Sequence, residues 1–270
     1  MKTILEAPFM VEMVRACENM YVHGWDERNG GNVSVLLDAD ELAQYLDLTQ
    51  VVREIPMTFV EPALDGRIFL ITGTGKYFKN VKYDPAANLG IVRLAQGGTV
   101  AELLWGFTDG GKFTSEFPAH IMSHAVRLQH DPEHRVVMHC HPANIIAMTF
   151  VHPLDEREFT RSIWRTCTEC LVVFPDGVNV LPWMLCGTNE IGLATAEKMH
   201  TSRLCVWAQH GIYGAAQTLD EAFGLIETVE KGAEIFMKTF GHPILQTITD
   251  ENLREIAVGF GVTAREGYLD

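Results

Sequence analysis

Two histidines one residue apart, His139 and His141, are the strongest chemical signal in the chain. They close the run Arg135-Val136-Val137-Met138-His139-Cys140-His141, which reads as a strand. Side chains at i and i+2 of a strand leave the same face, so both imidazoles can converge on one ion while Cys140 points away. Imidazole suits zinc, and a catalytic zinc site usually takes three protein ligands and keeps one position open. His210, in Gln209-His210-Gly211 after an apolar strand, is the best third ligand; Gly211 permits a tight turn that aims the ring inward. A lone pair of strand histidines can equally face solvent or hydrogen-bond within the core. The distant His-Gly at a strand end tips the balance toward a metal.

Competing metal arrangements are weaker. His120 and His124 have i, i+4 spacing on a predicted helix, but Ile121 stands where a zincin motif needs its glutamate. Cys167-Thr168-Glu169-Cys170 is a single C-x-x-C with no second pair, so it supports neither a zinc ribbon nor a thioredoxin motif.

Two glycine-rich turns suit an anion. Asn29-Gly30-Gly31-Asn32 and Thr72-Gly73-Thr74-Gly75-Lys76 offer close backbone approach beside small side chains that donate hydrogen bonds. Thr114 and Ser115 add hydroxyls and free amides at a helix start, a natural place for phosphate. Neither glycine segment matches a P-loop or a dinucleotide fingerprint, and each alone reads more often as an ordinary turn. Glu116 follows the two hydroxyls. It can simply favour the helix dipole, or, beside a metal, shuttle a proton on a bound substrate. Glu169 is the second candidate carboxylate, its plain alternative being a surface residue at a strand start.

The elements that must position these residues can be read from periodicity. Phe9, Met10, Met13, Val14, Cys17 and Tyr21 follow helical spacing, so an amphipathic helix opens the fold. Val33 to Leu37 and Arg67 to Thr72 read as strands, as do segments around Ala101 to Phe107, Cys170 to Phe174 and Leu204 to Trp207. The stretch from about 38 to 65, with Pro56 and Pro62, reads as an irregular insertion. Ser115 is placed to cap a helix whose first turn accepts Pro118 and whose buried face carries Ile121, Ala125 and Leu128. Further helices begin at Thr188 and at Thr218, where Glu221 completes a capping-box pattern. This order predicts one α/β domain over residues 1–270, a central, largely antiparallel sheet covered by helices.

Composition narrows the partners. A chain of 270 residues with 47% hydrophobic and 21% charged residues can bury a substantial core. Its formal net charge of -14 argues against nucleic acid or an anionic membrane as partner, without forbidding a small anionic substrate. No targeting segment is expected, and no run approaches the roughly 20 apolar residues that span a bilayer. The six cysteines do not form a dense framework, so reduced thiols and a cytoplasmic location are expected.

Taken together, several segments are similar to the class II aldolases of the aldolase–epimerase–adducin family. The segments are Gly24 to Asn32, Ile71 to Lys76, Thr114-Ser115-Glu116, His139-Cys140-His141 and Gln209-His210-Gly211, which occur in the family's order. Asp84 to Gly90, Thr168 to Gly177 and Leu181 to Met184 extend the resemblance to nearly the whole chain, weakening at the termini and around Asp38 to Glu61. The resemblance implies one zinc ion per subunit on His139, His141 and His210, and a C4 homotetramer. It places phosphate recognition at Asn29, Gly31, Asn32, Thr74, Gly75, Thr114 and Ser115, with Thr74 where the family more often has serine. It makes Glu116 the proton shuttle and Glu169 a second acid/base near a subunit interface, and gives Cys167 no role. The implied reaction is cleavage of L-rhamnulose 1-phosphate to dihydroxyacetone phosphate and L-lactaldehyde, in rhamnose catabolism. An epimerase using the same triad, or an adducin-like interaction module, are the alternatives.

Overall fold

A computed structural model of the chain describes residues 2–269. Its strands are β1 (Asn32–Leu37), β2 (Arg53–Pro56), β3 (Ile68–Thr72), β4 (Leu89–Ala95), β5 (Val100–Gly106), β6 (Val136–Cys140), β7 (Asn179–Leu181), β8 (Leu204–Trp207) and β9 (Gly211–Ala216). The helices are α1 (Pro8–Val22), α2 (Ala39–Leu42), α3 (Phe78–Val81), α4 (Pro85–Asn88), α5 (Phe117–His130), α6 (Ala143–Val151), α7 (Glu156–Trp164), α8 (Thr168–Val173), α9 (Asn189–Lys198), α10 (Leu219–Thr239) and α11 (Asp250–Phe260). The strands form one nine-stranded sheet in the order β2-β5-β4-β3-β1-β6-β9-β8-β7. Every pairing is antiparallel except β7 with β8. The expected α/β class with a largely antiparallel sheet is therefore the observed one.

Strand alternation sorts the side chains into two layers. Val33, Val35 and Leu37 of β1 join Met138 and Cys140 of β6 in the core packed by α1, α6 and α10. The intervening residues face the other way. Leu36 packs with Phe69, Ile71, Phe117, Ile121 and Ala125, while Val137, Tyr213 and Ala215 meet Ala119, Ile191 and Met199. Asn32 and Ser34 of β1 and His139 of β6 are polar members of this second face, buried under α5.

Antiparallel pairing also brings the right ends together. Asn32, the first residue of β1, pairs with His139, and Cys140 at the end of β6 pairs with Ile212 near the start of β9. Val33 N–H donates to Thr72 Oγ1 at 3.1 Å, and Gly73 bridges to Phe113. The turns around residues 29–32, 73–76, 113–116 and 208–210 thus cluster at one end of the central strands.

Several expectations need correction. Cys170 to Val173 lies in α8 with Phe174 as its C-cap, not in a strand; a short apolar run does not distinguish the two, and here only Cys170 and Leu171 of the helix are buried. The stretch 38–65 is not wholly irregular: it holds α2 and the edge strand β2, which pairs with β5 and ends at Pro56, where a missing N–H is tolerated. Ser115 does not cap α5. Glu116 occupies the N-cap position and donates its N–H to Thr114 Oγ1, with Pro118 in the first turn as expected. Strands β4, β7 and β9 have no counterpart among the strands expected from periodicity.

The polar face under α5 has a pH consequence. The Ser34 hydroxyl lies 2.7 Å from His120 Nδ1 and 2.8 Å from His124 Nε2, all three groups being buried. Burial, then the charge of Arg67, holds His124 down to about 3 from its ordinary 6.5. Below pH 6.5 the unfolded chain takes up a proton that folded His124 refuses, so stability falls as pH drops from there toward about 3. Urea unfolding of chelator-treated protein should show stability falling between about pH 6 and pH 5 more steeply in wild type than in His124→Asn, by up to about 1.4 kcal/mol. Equal slopes would contradict this account.

Candidate active site

His139 is fully buried on the α5 face of β6. Its Nδ1–H donates to the Ile212 carbonyl at 3.0 Å across the β6–β9 ladder, which leaves a lone pair on Nε2. His141 is the first residue beyond β6. Its backbone N–H donates to the Trp25 carbonyl at 2.7 Å, and its Nδ1 to the Glu27 carboxylate at 2.9 Å. Its Nε2 therefore also presents a lone pair, 3.2 Å from His139 Nε2. A carbonyl and a carboxylate holding the outer ring nitrogens is the arrangement that orients metal-binding imidazoles.

His210 completes the cluster from the turn between β8 and β9, tied by its N–H to the Trp207 carbonyl at 3.0 Å. The left-handed residue of this turn is Gln209, with φ 59°, and not the glycine that follows. Its N–H donates to Thr149 Oγ1 at 3.0 Å and its side-chain amide to the Thr149 carbonyl at 3.1 Å, contacts that hold the uncommon backbone. Gly211 is required for space: a Cβ there would lie 2.3 Å from the Cys140 carbonyl and 2.9 Å from the His141 ring. Gly30 plays the same part opposite, where a Cβ would meet His141 Nδ1 at 2.7 Å.

One ring nitrogen from each of His139, His141 and His210 lies within 4.8 Å of the others. Burial, followed by the neighbouring His141 and His210, keeps the pKa of His139 well below its ordinary value, and burial lowers that of His210. A protonated pair is disfavoured, yet two lone pairs facing each other repel. The donor set fits a cation between the rings.

Glu116 stands beside this cluster. Its Oε2 accepts from Asn32 Nδ2 at 2.9 Å and from the Tyr213 hydroxyl at 2.8 Å, and lies 3.4 Å from His139 Nε2. Oε1 lies 3.6 Å from His210 Nε2. The Tyr213 ring stacks on His139 at 4.3 Å between centroids. Burial, then the charge of Glu116, raises the Tyr213 pKa well above its ordinary value, so the phenol keeps its proton and donates.

The expected anion residues occupy the surrounding turns. Asn29, Gly75 and Ser115 are exposed and Thr74 is half-buried, whereas Gly31 and Thr114 are buried. Among the described residues no hydrogen bond engages the side chains of Asn29, Thr74 or Ser115. Asn32 is buried: one N–H of its amide donates to Glu116 Oε2 and its oxygen faces His120 Nε2, while the amide carries a second N–H. His120 and His124 share Ser34 and do not converge as a second metal pair.

Glu169 is not gathered into the cluster. It is exposed in the first turn of α8, whose neighbours are α7, α10 and α11, and it accepts from the Cys167 thiol at 2.6 Å. That hydrogen bond lowers the Glu169 pKa. Reading the sequence missed Glu27 and Tyr213. Tyr213 had a signal, since two-residue alternation from Gly211 puts it on the α5 face. Glu27 is brought to His141 by long-range packing that no local pattern shows: the His141 N–H donates to the Trp25 carbonyl, and Gly30, whose N–H donates to the Glu27 carbonyl, lies against the His141 ring.

No helix among the described residues is long and apolar enough to cross a membrane. Residues 11–237 match the family pattern described as Class II Aldolase and Adducin N-terminal domain. The chain is 56% identical over 270 residues to a rhamnulose-1-phosphate aldolase of Listeria monocytogenes, covering 100% of this chain and 99% of that protein. It is 54% identical over 268 residues to a rhamnulose-1-phosphate aldolase of Enterococcus faecalis, covering 99% and 96%. Among solved structures, a sugar-phosphate aldolase from Thermotoga maritima superposes with a TM-score of 0.73 at 28% identity, covering 86% of this chain and 96% of that one. With the family pattern spanning most of its length and relatives more than half identical end to end, this chain belongs to the class II aldolase and adducin family.

Proposed function

We propose that this chain is a zinc-dependent aldolase of rhamnose catabolism that reversibly cleaves L-rhamnulose 1-phosphate to dihydroxyacetone phosphate and L-lactaldehyde. The observation that carries this reading is the convergence of His139, His141, His210 and Glu116, in a chain 56% identical along its full length to a rhamnulose-1-phosphate aldolase. When bound, zinc supplies a Lewis acid for the negative charge left on the dihydroxyacetone phosphate fragment as the carbon–carbon bond breaks.

The remaining work falls to the chain's own groups. His139, His141 and His210 hold the ion through nitrogens aimed by Ile212, Glu27 and the Gln209 turn. Glu116 moves the proton at C3, giving it to that carbon after cleavage and taking it away in condensation. Asn32 and Tyr213 hold one of its oxygens, so the carboxylate meets C3 in one orientation. Asn29, Gly31, Asn32, Thr74, Gly75, Thr114 and Ser115 bind the phosphate, a reading supported by the unengaged side chains of Asn29, Thr74 and Ser115 and by the second amide N–H of Asn32. Glu169 takes the proton of the C4 hydroxyl. Since it stands apart from Glu116 within one chain, we assign it to the site of a neighbouring copy in a C4 homotetramer. The cysteines are free, as suits a reducing cytoplasm.

Four measurements test this reading. Purified protein given rhamnulose, fuculose and ribulose phosphates should release dihydroxyacetone phosphate and L-lactaldehyde from the first; an epimerised sugar phosphate as the main product would replace the aldolase with an epimerase. His139→Ala, His141→Ala and His210→Ala should each lose zinc and activity, while His120→Ala keeps its zinc. Full zinc occupancy in His210→Ala, read by metal analysis, would remove the triad. Asn29→Ala deletes a hydrogen bond to a charged group, so substrate should bind about ten- to hundredfold more weakly. Glu116→Gln, checked to be zinc-loaded, should stop exchange of the dihydroxyacetone phosphate α-proton with deuterated water, whereas Glu169→Gln slows cleavage yet leaves much of that exchange. Normal exchange in Glu116→Gln, followed by nuclear magnetic resonance, would end its role as the carbon base.

A further inference from the structure

Two exposed histidines meet at the end of α5 far from Glu116. His130 is the last residue of α5 and His200 lies in the turn just after α9, with His130 Nε2 3.2 Å from His200 Nδ1. Their rings stand edge to face at 74°, with centroids 5.4 Å apart. His139 and His141 have nearly the same relation: 3.2 Å between nitrogens, 69° between planes and 5.0 Å between centroids. Two nitrogens bound to one tetrahedral zinc ion at about 2.0–2.1 Å lie about 3.3 Å apart, so both pairs have the spacing of ligands to a shared ion.

Packing holds that spacing. α5 and α9 lie side by side, so close near their starts that a Cβ on Gly192 would come 3.0 Å from Pro118 Cβ. Near their ends Arg127 Nη1 donates to the carbonyl of Met199, the residue before His200, at 2.8 Å. Among the described residues no other side-chain hydrogen bond reaches either ring, and one shared between two rings that water already wets gains little. The charges bordering the pair do not oppose a cation. Arg203 is paired with Asp176 and Glu221, and Arg127 has Asp131 and Asp176 beside it. All of these groups line one open depression. Burial, then the neighbouring Arg127 and His200, lowers the His130 pKa, so its ring offers a lone pair at neutral pH.

We propose that His130 and His200 form a second, solvent-open site for a divalent transition metal such as zinc, bound by His130 Nε2 and His200 Nδ1 with water completing the shell. Binding is ligand exchange: two waters leave the ion, each ring keeps its proton on the other nitrogen, and no oxidation state changes. The ion ties the end of α5 to the turn after α9, a cross-link that adds stability when zinc is plentiful. α5 separates His130 from Glu116 by about 20 Å, so this ion shares no ligand with the one assigned to the three imidazoles.

Equilibrium dialysis of the zinc-loaded protein against rising free zinc tests this, with bound metal counted per chain. Wild type should take up one further ion per chain, and His130→Gln and His200→Gln should each weaken that uptake by about tenfold or more. Both variants should keep the first ion and the catalytic activity of wild type. His242→Gln, which alters an exposed histidine elsewhere, should bind like wild type. The further ion should raise the melting temperature of wild type and leave that of His200→Gln unchanged. His210→Ala should lose the first ion and keep the second; if it kept both, only the tri-imidazole reading would fall. No further zinc in wild type at millimolar concentration, or equal uptake by His130→Gln and His200→Gln, would overturn the site and leave the pair a hydrogen bond alone. An equal rise in melting temperature in His200→Gln would overturn the cross-link.

Discussion

A carboxylate buried beside three imidazoles orders the polar interior of this protein. Glu116 is only 7% exposed, and an ionised carboxyl at that depth is costly unless donors surround it. Asn32 and Tyr213 provide them, and the requirement propagates. With its nitrogen turned to Glu116, Asn32 presents its oxygen to His120, so His120 Nε2 must carry the proton and Nδ1 must accept. Ser34 then donates to His120 and accepts from His124 Nε2–H. The chain ends at His124 Nδ1, a lone pair that needs no donor, and that buried atom is among those without a partner. One charge thus sets the tautomers of two buried rings and the rotation of a hydroxyl and an amide. Both rings must stay neutral for this order to hold, and burial keeps them so.

The second constraint is steric. The metal-binding nitrogens can meet only because backbone comes unusually close to the imidazoles at Gly30 and Gly211, positions where a side chain would collide with His141. The one non-glycine residue of the His210 turn with positive φ is clamped by Thr149 in α6. Strain and close contact therefore collect on turns, while β1, β6 and β9 supply a rigid frame beneath them.

Charge is managed locally. The chain carries a net charge of -14, yet the reading above asks it to hold a phosphorylated sugar. Lys76, in one of the glycine turns, is paired with Asp109 and adds little free positive charge. Asp26 lies behind Gly31 with both oxygens unpartnered, and burial followed by the charge of Glu27 pushes its carboxyl up to about 7. A partly neutral acid there lessens the repulsion that an anion in the turn meets. The main attraction falls to backbone amides, hydroxyls and the cation.

Residues that act through local periodicity were readable directly. Two-residue alternation was enough to send His139 inward and Cys140 away, and the apolar spacing of α1 is the expected one. Thr218 caps α10 as expected, but the box is not closed, because the Glu221 carboxylate accepts from the Gln217 N–H and not from that of Thr218. Glycine clusters marked the turns, and Glu116 was visible as the carboxylate next to two hydroxyls at a helix start. Cys170 to Phe174 was misread because a short apolar run satisfies either period. The partners of the site were a different matter. Asn32 reads as an anion donor in the sequence, but nothing local shows that its amide also holds Glu116, 84 positions away. Glu27 reaches His141 across 114 positions. Periodicity along a chain fixes which face a side chain takes, because that follows from dihedral angles of adjacent residues. Which atom it meets there depends on strand register and loop path, and those are set by the packing of the whole sheet.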